Sequence, residues 1–298
     1  GAMMGFMPWM YLGCRYILHE TYDPKRIIEE IESSQVTHII LVPSQIVELL
    51  NHQDFDPSRL TSLEMITSLG APLLMEYKNK LNQLIPNRFY ELYGLTEGFI
   101  TCLDKNDALQ KPKSVGVPLR FLEMKIVDTY GNEVASGEVG EICGRGPLLT
   151  PGYYNNPDLT KQTIVDGWLH TGDAGYTDDD GFLYLVDRIK DIIISGGINI
   201  YPKDIEEIMV EHPLVAEVAV FGVPHDKWGE VPIAAVTLFM NAELLETDLV
   251  SWTNERVAAK FQRVSDCFIL ANFPRNVAGK TLKRDIREIY LNKKQIGK

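Results

Sequence analysis

Three apolar runs set the frame of this chain: VTHIILV at 36–42, LEMITSL at 63–69 and RFYELYG at 88–94. Each has the length and composition of a strand bounded by turn residues. The segments around them, PKRIIEEIESSQ, PSQIVELL and MEYKNKLNQLI, place apolar residues at helical spacing, and Pro43 stands where a first helical turn tolerates proline. Strands and amphipathic helices in alternation make an α/β layer. Such layers hold ligands in the loops that follow their strands. Gly70-Ala71-Pro72, after the second run, and the residues from Tyr93 onward, in the third, are therefore the first places to look.

The pattern changes twice along the chain. After Pro112 come short strands with Gly-rich turns, as in FLEMKIVDTYGNEVASGEVGEICGRG, which predict a small β subdomain, barrel-like or a distorted sheet. After Asp187 come IIIS, a helix over KDIEEIMVEH, strands VAEVAVFGV and PIAAVTLF, a helix near LETDLVSWTNERVAAK and a last helix LKRDIREIYL, a compact α+β unit with its own core. The expected organisation is an α/β chain in three parts. Residues 1–112 form a partial α/β subdomain, 113–187 the β subdomain and 188–298 an α+β C-terminal domain.

A length of 298 residues allows two substantial cores, and 45% hydrophobic with 23% charged residues is a globular profile. A formal net charge of -12 argues against general nucleic-acid binding, which rests on clustered Lys and Arg. Cys14, Cys102, Cys143 and Cys267 lack metal or disulfide spacing and fit a reducing, cytoplasmic setting. The first segment, MMGFMPWMYLGCRYIL, is broken by Pro8, Gly13 and Arg15 and falls short of the ~20 apolar residues of a membrane span, so it is expected to be a buried helix. The leading GAM resembles an expression remnant and not a native start.

Four constellations could carry chemistry. In YGLTEG, Tyr93 can stack on a base, Gly94 is conformationally permissive, Thr96 can donate to phosphate and Glu97 can hold Mg²⁺; the plain structural alternative is a strand, a turn and a helix capped by Thr96. In DGWLHTGDAGY, the Asp173 carboxylate can accept bonds from two neighbouring ribose hydroxyls, whereas His170 reads as structural. In DRIKD, Arg188 could donate to the same ribose or phosphate, or form a surface ion pair of little energetic worth. In PRNVAGKTLKRDIRE, Lys280 follows Gly279 in a loop before a helix, where a lysine can reach a developing negative charge, although most isolated lysines are merely solvated.

Taken together with GAPL, GEVGEICGRGP and GYYNNP, these motifs occur in an order that resembles the C-terminal part of adenylate-forming enzymes. That superfamily comprises acyl-CoA synthetases, peptide-synthetase adenylation domains and beetle luciferase. The similarity runs from the first residues to Arg287. It implies two half-reactions: a carboxylate attacks the α-phosphorus of Mg·ATP, and a thiol then takes the acyl group with release of AMP. By resemblance, Gly70, Ala71, Pro72 and Tyr93 enclose adenine, with Gly94 beside them. Asp173 and Arg188 hold ribose, Thr96 contacts phosphate, Glu97 binds Mg²⁺ and Lys280 bridges the two reacting groups. Lys190 matches the hinge about which the C-terminal domain alternates. Gly196 and Gly197 leave room for a pantetheine arm, and the charged residues before them keep the hinge exposed.

The resemblance implies an acyl-CoA synthetase of fatty acid metabolism, acting on a fatty or aryl acid with ATP, Mg²⁺ and coenzyme A. Peptide-synthetase adenylation and a non-catalytic nucleotide- or CoA-binding module stand as alternatives. The family's Gly/Ser/Thr-rich phosphate loop is not found between Gly1 and Tyr93. The chain is accordingly expected to be a fragment that does not adenylate at a useful rate alone. The identity of the acid and the oligomeric state are not legible.

Overall fold

The computed structural model describes residues 2–275 and 281–296, with side chains described for 7–275 and 281–294. The chain packs as two compact units. The first comprises Gly1–Glu138, Ile142–Thr171 and Tyr176–Leu185; the second comprises Val139–Glu141, Gly172–Gly175 and Val186–Lys298.

In the first unit, helix α1 (Ala2–Leu12) precedes α2 (Pro24–Ser34), β1 (His38–Leu41), α3 (Pro43–Asn51), β2 (Met65–Leu69), α4 (Met75–Leu84) and β3 (Phe89–Gly94). Strands β1, β2 and β3 pair in parallel, each crossover being a helix, as parallel neighbours require. Strands β4 (Ile100–Leu103) and β5 (Val117–Pro118) extend the sheet antiparallel. Helix α2 starts where Asp23 accepts hydrogen bonds from the Lys25 and Arg26 amides, at 2.9 and 3.3 Å, with Pro24 next. Its apolar stripe, Ile28 and Ile31, meets Ile46 and Leu49 of α3, Leu81 of α4 and Ile66 and Phe89 of the sheet in one core. The predicted alternation is this layer.

The segment expected to be a buried helix is helical but not buried: Met10, Tyr11 and Leu12 are 57%, 91% and 67% exposed. Apolar content sets the helix's need for cover, while burial depends on what packs against it. Among the described residues, Trp9 meets His38 edge-on at the side of the sheet, 5.2 Å between ring centres.

The second sheet is built from β6 (Glu123–Val127), β7 (Gly140–Arg145), β8 (Ile164–Val165), β9 (Trp168–Thr177) and β10 (Leu183–Arg188), with helix α5 (Pro157–Thr163) before β8. Its order β10-β9-β7-β6 leaves β10 and β6 as edges, so the barrel-like subdomain is an open half-barrel.

The sheet of the second unit contains β11 (Ile193–Ser195), β12 (Ile198–Ile200), β13 (Val215–His225), β14 (Gly229–Leu238) and β15 (Asp266–Ile269), in the order β12-β11-β14-β13 with β15 on β14. Helices α6 (Pro202–Val210), α7 (Glu246–Asn254) and α8 (Lys283–Ile296) complete it. Alternate residues of β13 and β14 feed two cores. Val220, Ala234 and Val236 pack with α6 and α7, and Phe221, Ile233 and Ala235 with α8, following the two-residue period of a strand. Helix α7 ends earlier than its apolar spacing predicts. Asn254 accepts from the Val264 amide at 2.7 Å and donates to the Val264 carbonyl at 3.0 Å, which turns the chain back towards β15.

Candidate active site

The first unit brings two of the predicted segments to one edge. Leu69 and Leu92 pair in register, so Gly70-Ala71-Pro72 and Tyr93-Gly94 lie at the C-terminal ends of neighbouring parallel strands, where open α/β sheets bind ligands. Gly70 has φ of 92°, a left-handed conformation that suits glycine. At Gly94 a Cβ would lie 2.7 Å from the Phe99 carbonyl, because the chain folds back on itself there and the Leu95 amide donates to that oxygen at 3.0 Å. Tyr93 is half-buried, its ring edge-on to Phe99 at 6.4 Å.

Thr96 and Glu97 sit in the turn that joins β3 to β4. No helix begins at Thr96: Gly98 takes φ of 108° and the chain re-enters the sheet at Ile100, which ends any helical continuation. Glu97 is held from three directions. Its Oε1 accepts from the Tyr153 phenol at 2.7 Å, its Oε2 from the Thr96 hydroxyl at 3.1 Å, and its carbonyl from the Thr150 amide at 2.7 Å. A Cβ on Gly98 would fall 1.9 Å from the Leu148 carbonyl oxygen, so glycine alone permits this approach of the two loops. The bond to Glu97, with burial second, raises the Tyr153 phenol above its ordinary pKa. Local sequence pattern does not single out Tyr153 and Thr150 as site residues. GYYNNP marks the loop, but the partnership spans 56 positions and no local pattern reveals it.

A hard divalent cation fits this carboxylate. Carboxylate and hydroxyl oxygens suit Mg²⁺, which takes one or two protein carboxylates and completes its shell with water and phosphate. A carboxylate offers about four lone-pair sites, and the two hydroxyls use one on each oxygen.

Beneath the turn, Glu91 of β3 forms an ion pair with Lys78 of α4, the side chains only 3% and 6% exposed, and Lys78 also donates to the Pro112 carbonyl at 3.2 Å. Ser68, in register with Glu91, is fully buried, and its hydroxyl has no hydrogen-bond partner among the described residues.

The second unit holds the other predicted residues. Arg188 Nε donates to Asp173 Oδ1 at 2.8 Å, with Asp173 the more buried of the two. Lys190 is exposed in a 3-10 turn, Ile189–Asp191. Gly196 and Gly197 form the two-residue turn between β11 and β12, Ser195 pairing with Ile198. Their φ values of 58° and 81° are what a tight hairpin turn of this kind demands at both central positions, a backbone reason for the glycines that the sequence did not separate from room for a ligand. The Gly196 amide donates to the Trp228 carbonyl at 2.7 Å, and the indole lies 3.3 Å from where a Gly196 Cβ would be.

Within α6, Glu206 accepts from Lys283 at 2.7 Å and from the Val220 amide at 2.7 Å. Burial pushes the Glu206 carboxyl up despite Lys283. Burial alone would lower Lys283, but the Glu206, Asp187 and Asp191 carboxylates raise it. Lys280, assigned a catalytic role by resemblance, lies outside the described residues.

The description AMP-binding enzyme fits residues 1–154, and AMP-binding enzyme C-terminal domain fits 204–280. The chain belongs to the AMP-binding enzyme family. Within that family it is 40% identical over 265 residues to a medium/long-chain-fatty-acid–CoA ligase of Mycobacterium tuberculosis, covering 87% of this chain and 46% of the relative. It is 36% identical over 293 residues to a 2-succinylbenzoate–CoA ligase of Bacillus cytotoxicus, covering 97% of this chain and 59% of the relative. The chain thus spans about half the length of these curated relatives. Among solved structures, the o-succinylbenzoate coenzyme A synthetase of Bacillus subtilis, in complex with ATP and magnesium ion, superposes with a TM-score of 0.84 at 31% identity, over 94% of this chain and 57% of that one. As an adenylate-forming family member the chain has the mixed α/β architecture expected of it. Among the described residues, no helix is long and apolar enough to cross a membrane.

Proposed function

We propose that this chain is part of an acid–thiol ligase that activates a fatty or aryl carboxylic acid as its acyl-adenylate and passes the acyl group to coenzyme A. The observation that carries this is the clamp on Glu97. It holds a cation-ready carboxylate at the strand edge that also bears Gly70-Ala71-Pro72 and Tyr93, in a chain whose curated relatives are CoA ligases. Gly70, Ala71, Pro72, Tyr93 and Gly94 take the adenine, and Thr96 donates to phosphate. Asp173 accepts from the ribose hydroxyls, oriented by Arg188. Glu97 holds Mg²⁺, which when bound would neutralise phosphate charge as it develops. Lys280 draws the acid and the α-phosphate together, where positioning and charge stabilisation dominate the rate.

The division 1–112, 113–187 and 188–298 goes with this function, as does rotation of the last part about Lys190 between adenylation and thioester formation. Gly196 and Gly197 then border the path of the thiol arm. A cytoplasmic setting suits four cysteines, Cys14, Cys102, Cys143 and Cys267, that form no disulfide among the described residues. A second reading draws on the chain's spanning about half of its relatives' length: alone, it binds nucleotide or CoA without turnover.

Carboxylate-dependent ATP–pyrophosphate exchange across fatty, aryl and amino acids separates these readings, comparing residues 1–298 with the full-length protein. Exchange with a fatty or aryl acid by the full-length protein alone is expected. Exchange only with amino acids would favour peptide-synthetase chemistry, and none with any acid would leave the binding role.

A further inference from the structure

We infer that Tyr153 is a positioning residue for the cation-binding carboxylate, acting through Glu97 across the contact between the 93–98 turn and the 146–154 loop. This rests on the assignment of Mg²⁺ to Glu97 above. The geometry treats Glu97 as something to be oriented. Tyr153 donates to one carboxylate oxygen at 2.7 Å and Thr96 to the other at 3.1 Å, so the group cannot rotate about its terminal bond without losing a partner. The remaining lone pairs keep one direction, which is how outer hydrogen bonds tune metal ligands.

Tyr153 is itself fixed. Its amide donates to the Thr160 hydroxyl of α5 at 2.9 Å, and that hydroxyl donates to the Asn156 carbonyl at 2.9 Å. Beside it, Gly152 takes φ of 149°, and a Cβ there would meet the Thr160 methyl at 2.7 Å. Backbone contact of the two loops does not depend on the phenol, since the Thr150 amide reaches the Glu97 carbonyl and Gly98 admits Leu148 without it. The phenol's bond is therefore separable from the fold of the turn. Tyr154, 93% exposed, supplies an internal control from the same loop.

The test is Mn²⁺ binding by electron paramagnetic resonance in the full-length protein, with ATP and no acid. Tyr153→Phe is expected to weaken Mn²⁺ retention ~10-fold, the lower end for loss of an outer-shell partner, and Tyr154→Phe to leave it unchanged. Glu97→Gln is expected to weaken it more, and the double variant Tyr153→Phe, Glu97→Gln no further, because the phenol acts through that carboxylate. Retention unchanged in Tyr153→Phe, or losses that simply add in the double variant, would overturn the inference. Unchanged retention in Glu97→Gln would instead remove the metal assignment, and the inference with it. Should Tyr153→Phe fail to fold by circular dichroism, Thr160→Ala, which frees the Tyr153 amide, is read in the same titration. Weakened Mn²⁺ retention in that variant supports the inference and unchanged retention overturns it.

Discussion

Replacing Lys78 by Met leaves the Glu91 carboxylate in an interior where its side chain is 3% exposed. Removing one member of a buried ion pair costs roughly 3–5 kcal/mol, because the survivor keeps its desolvation penalty without its partner. Protonation limits that loss. A glutamate of ordinary pKa near 4.3 takes up a proton at pH 7 for about 3.7 kcal/mol, from 1.36 kcal/mol per pH unit. At pH 5 the same limit is about 1 kcal/mol. The sign follows from linkage: in the variant the folded carboxyl's pKa is raised above its unfolded value, so the penalty grows with pH from about 4.3 upward and shrinks as pH falls.

Urea unfolding of the first unit, followed by hydrogen exchange in peptides spanning 75–103, should show Lys78→Met losing about 3–4 kcal/mol at pH 7 and far less at pH 5. The double variant Lys78→Met, Glu91→Leu should return to within about 1 kcal/mol of the parent, since a buried pair contributes little net stability over an apolar one. A loss below about 1 kcal/mol at pH 7, or one that does not change with pH, would refute the reasoning.

Two further outcomes are expected. Glu206 has a folded-state pKa raised by burial, so its contribution to stability falls as pH rises from the unfolded value to the folded one and is level above it. The stability of the parent minus that of Glu206→Gln should decline over that window in urea titrations of the second unit, and a difference that rises with pH would contradict the assignment. Among the thiols, Cys14 is exposed, Cys143 and Cys267 are buried, and burial pushes Cys102 up to about 11 and Cys267 up to about 12. A disulfide reagent at pH 8 should label Cys14 rapidly and the others only on unfolding, read by peptide mass spectrometry.

Much of the layer was legible because its signals are local. Pro24 and Pro43 mark helix starts, β1, β2 and β3 fall within the three apolar runs, and Ile28, Ile31, Ile46 and Leu49 follow helical spacing into one core. Local signals also misled. The first segment is apolar enough to be buried, yet Tyr11 and Leu12 face outward, and spacing alone carried α7 beyond Asn254, where a side chain–backbone clamp ends it. Motif order singles out Thr96 and Glu97 but leaves open a helix capped by Thr96, which Gly98's φ of 108° excludes.

The sequence by itself determined the alternation of elements, the family and the residue types available for chemistry, since these depend on propensity, period and motif order along the chain. Only the tertiary structure decided how those residues are held. Tyr153 reaches Glu97 across 56 positions, Lys78 neutralises Glu91 between a helix and a strand, and Arg188 turns towards Asp173 from a neighbouring strand. Each pairing depends on side-chain direction and on water exclusion after the elements have packed. A one-dimensional pattern contains neither, because both arise from neighbours that are distant in sequence.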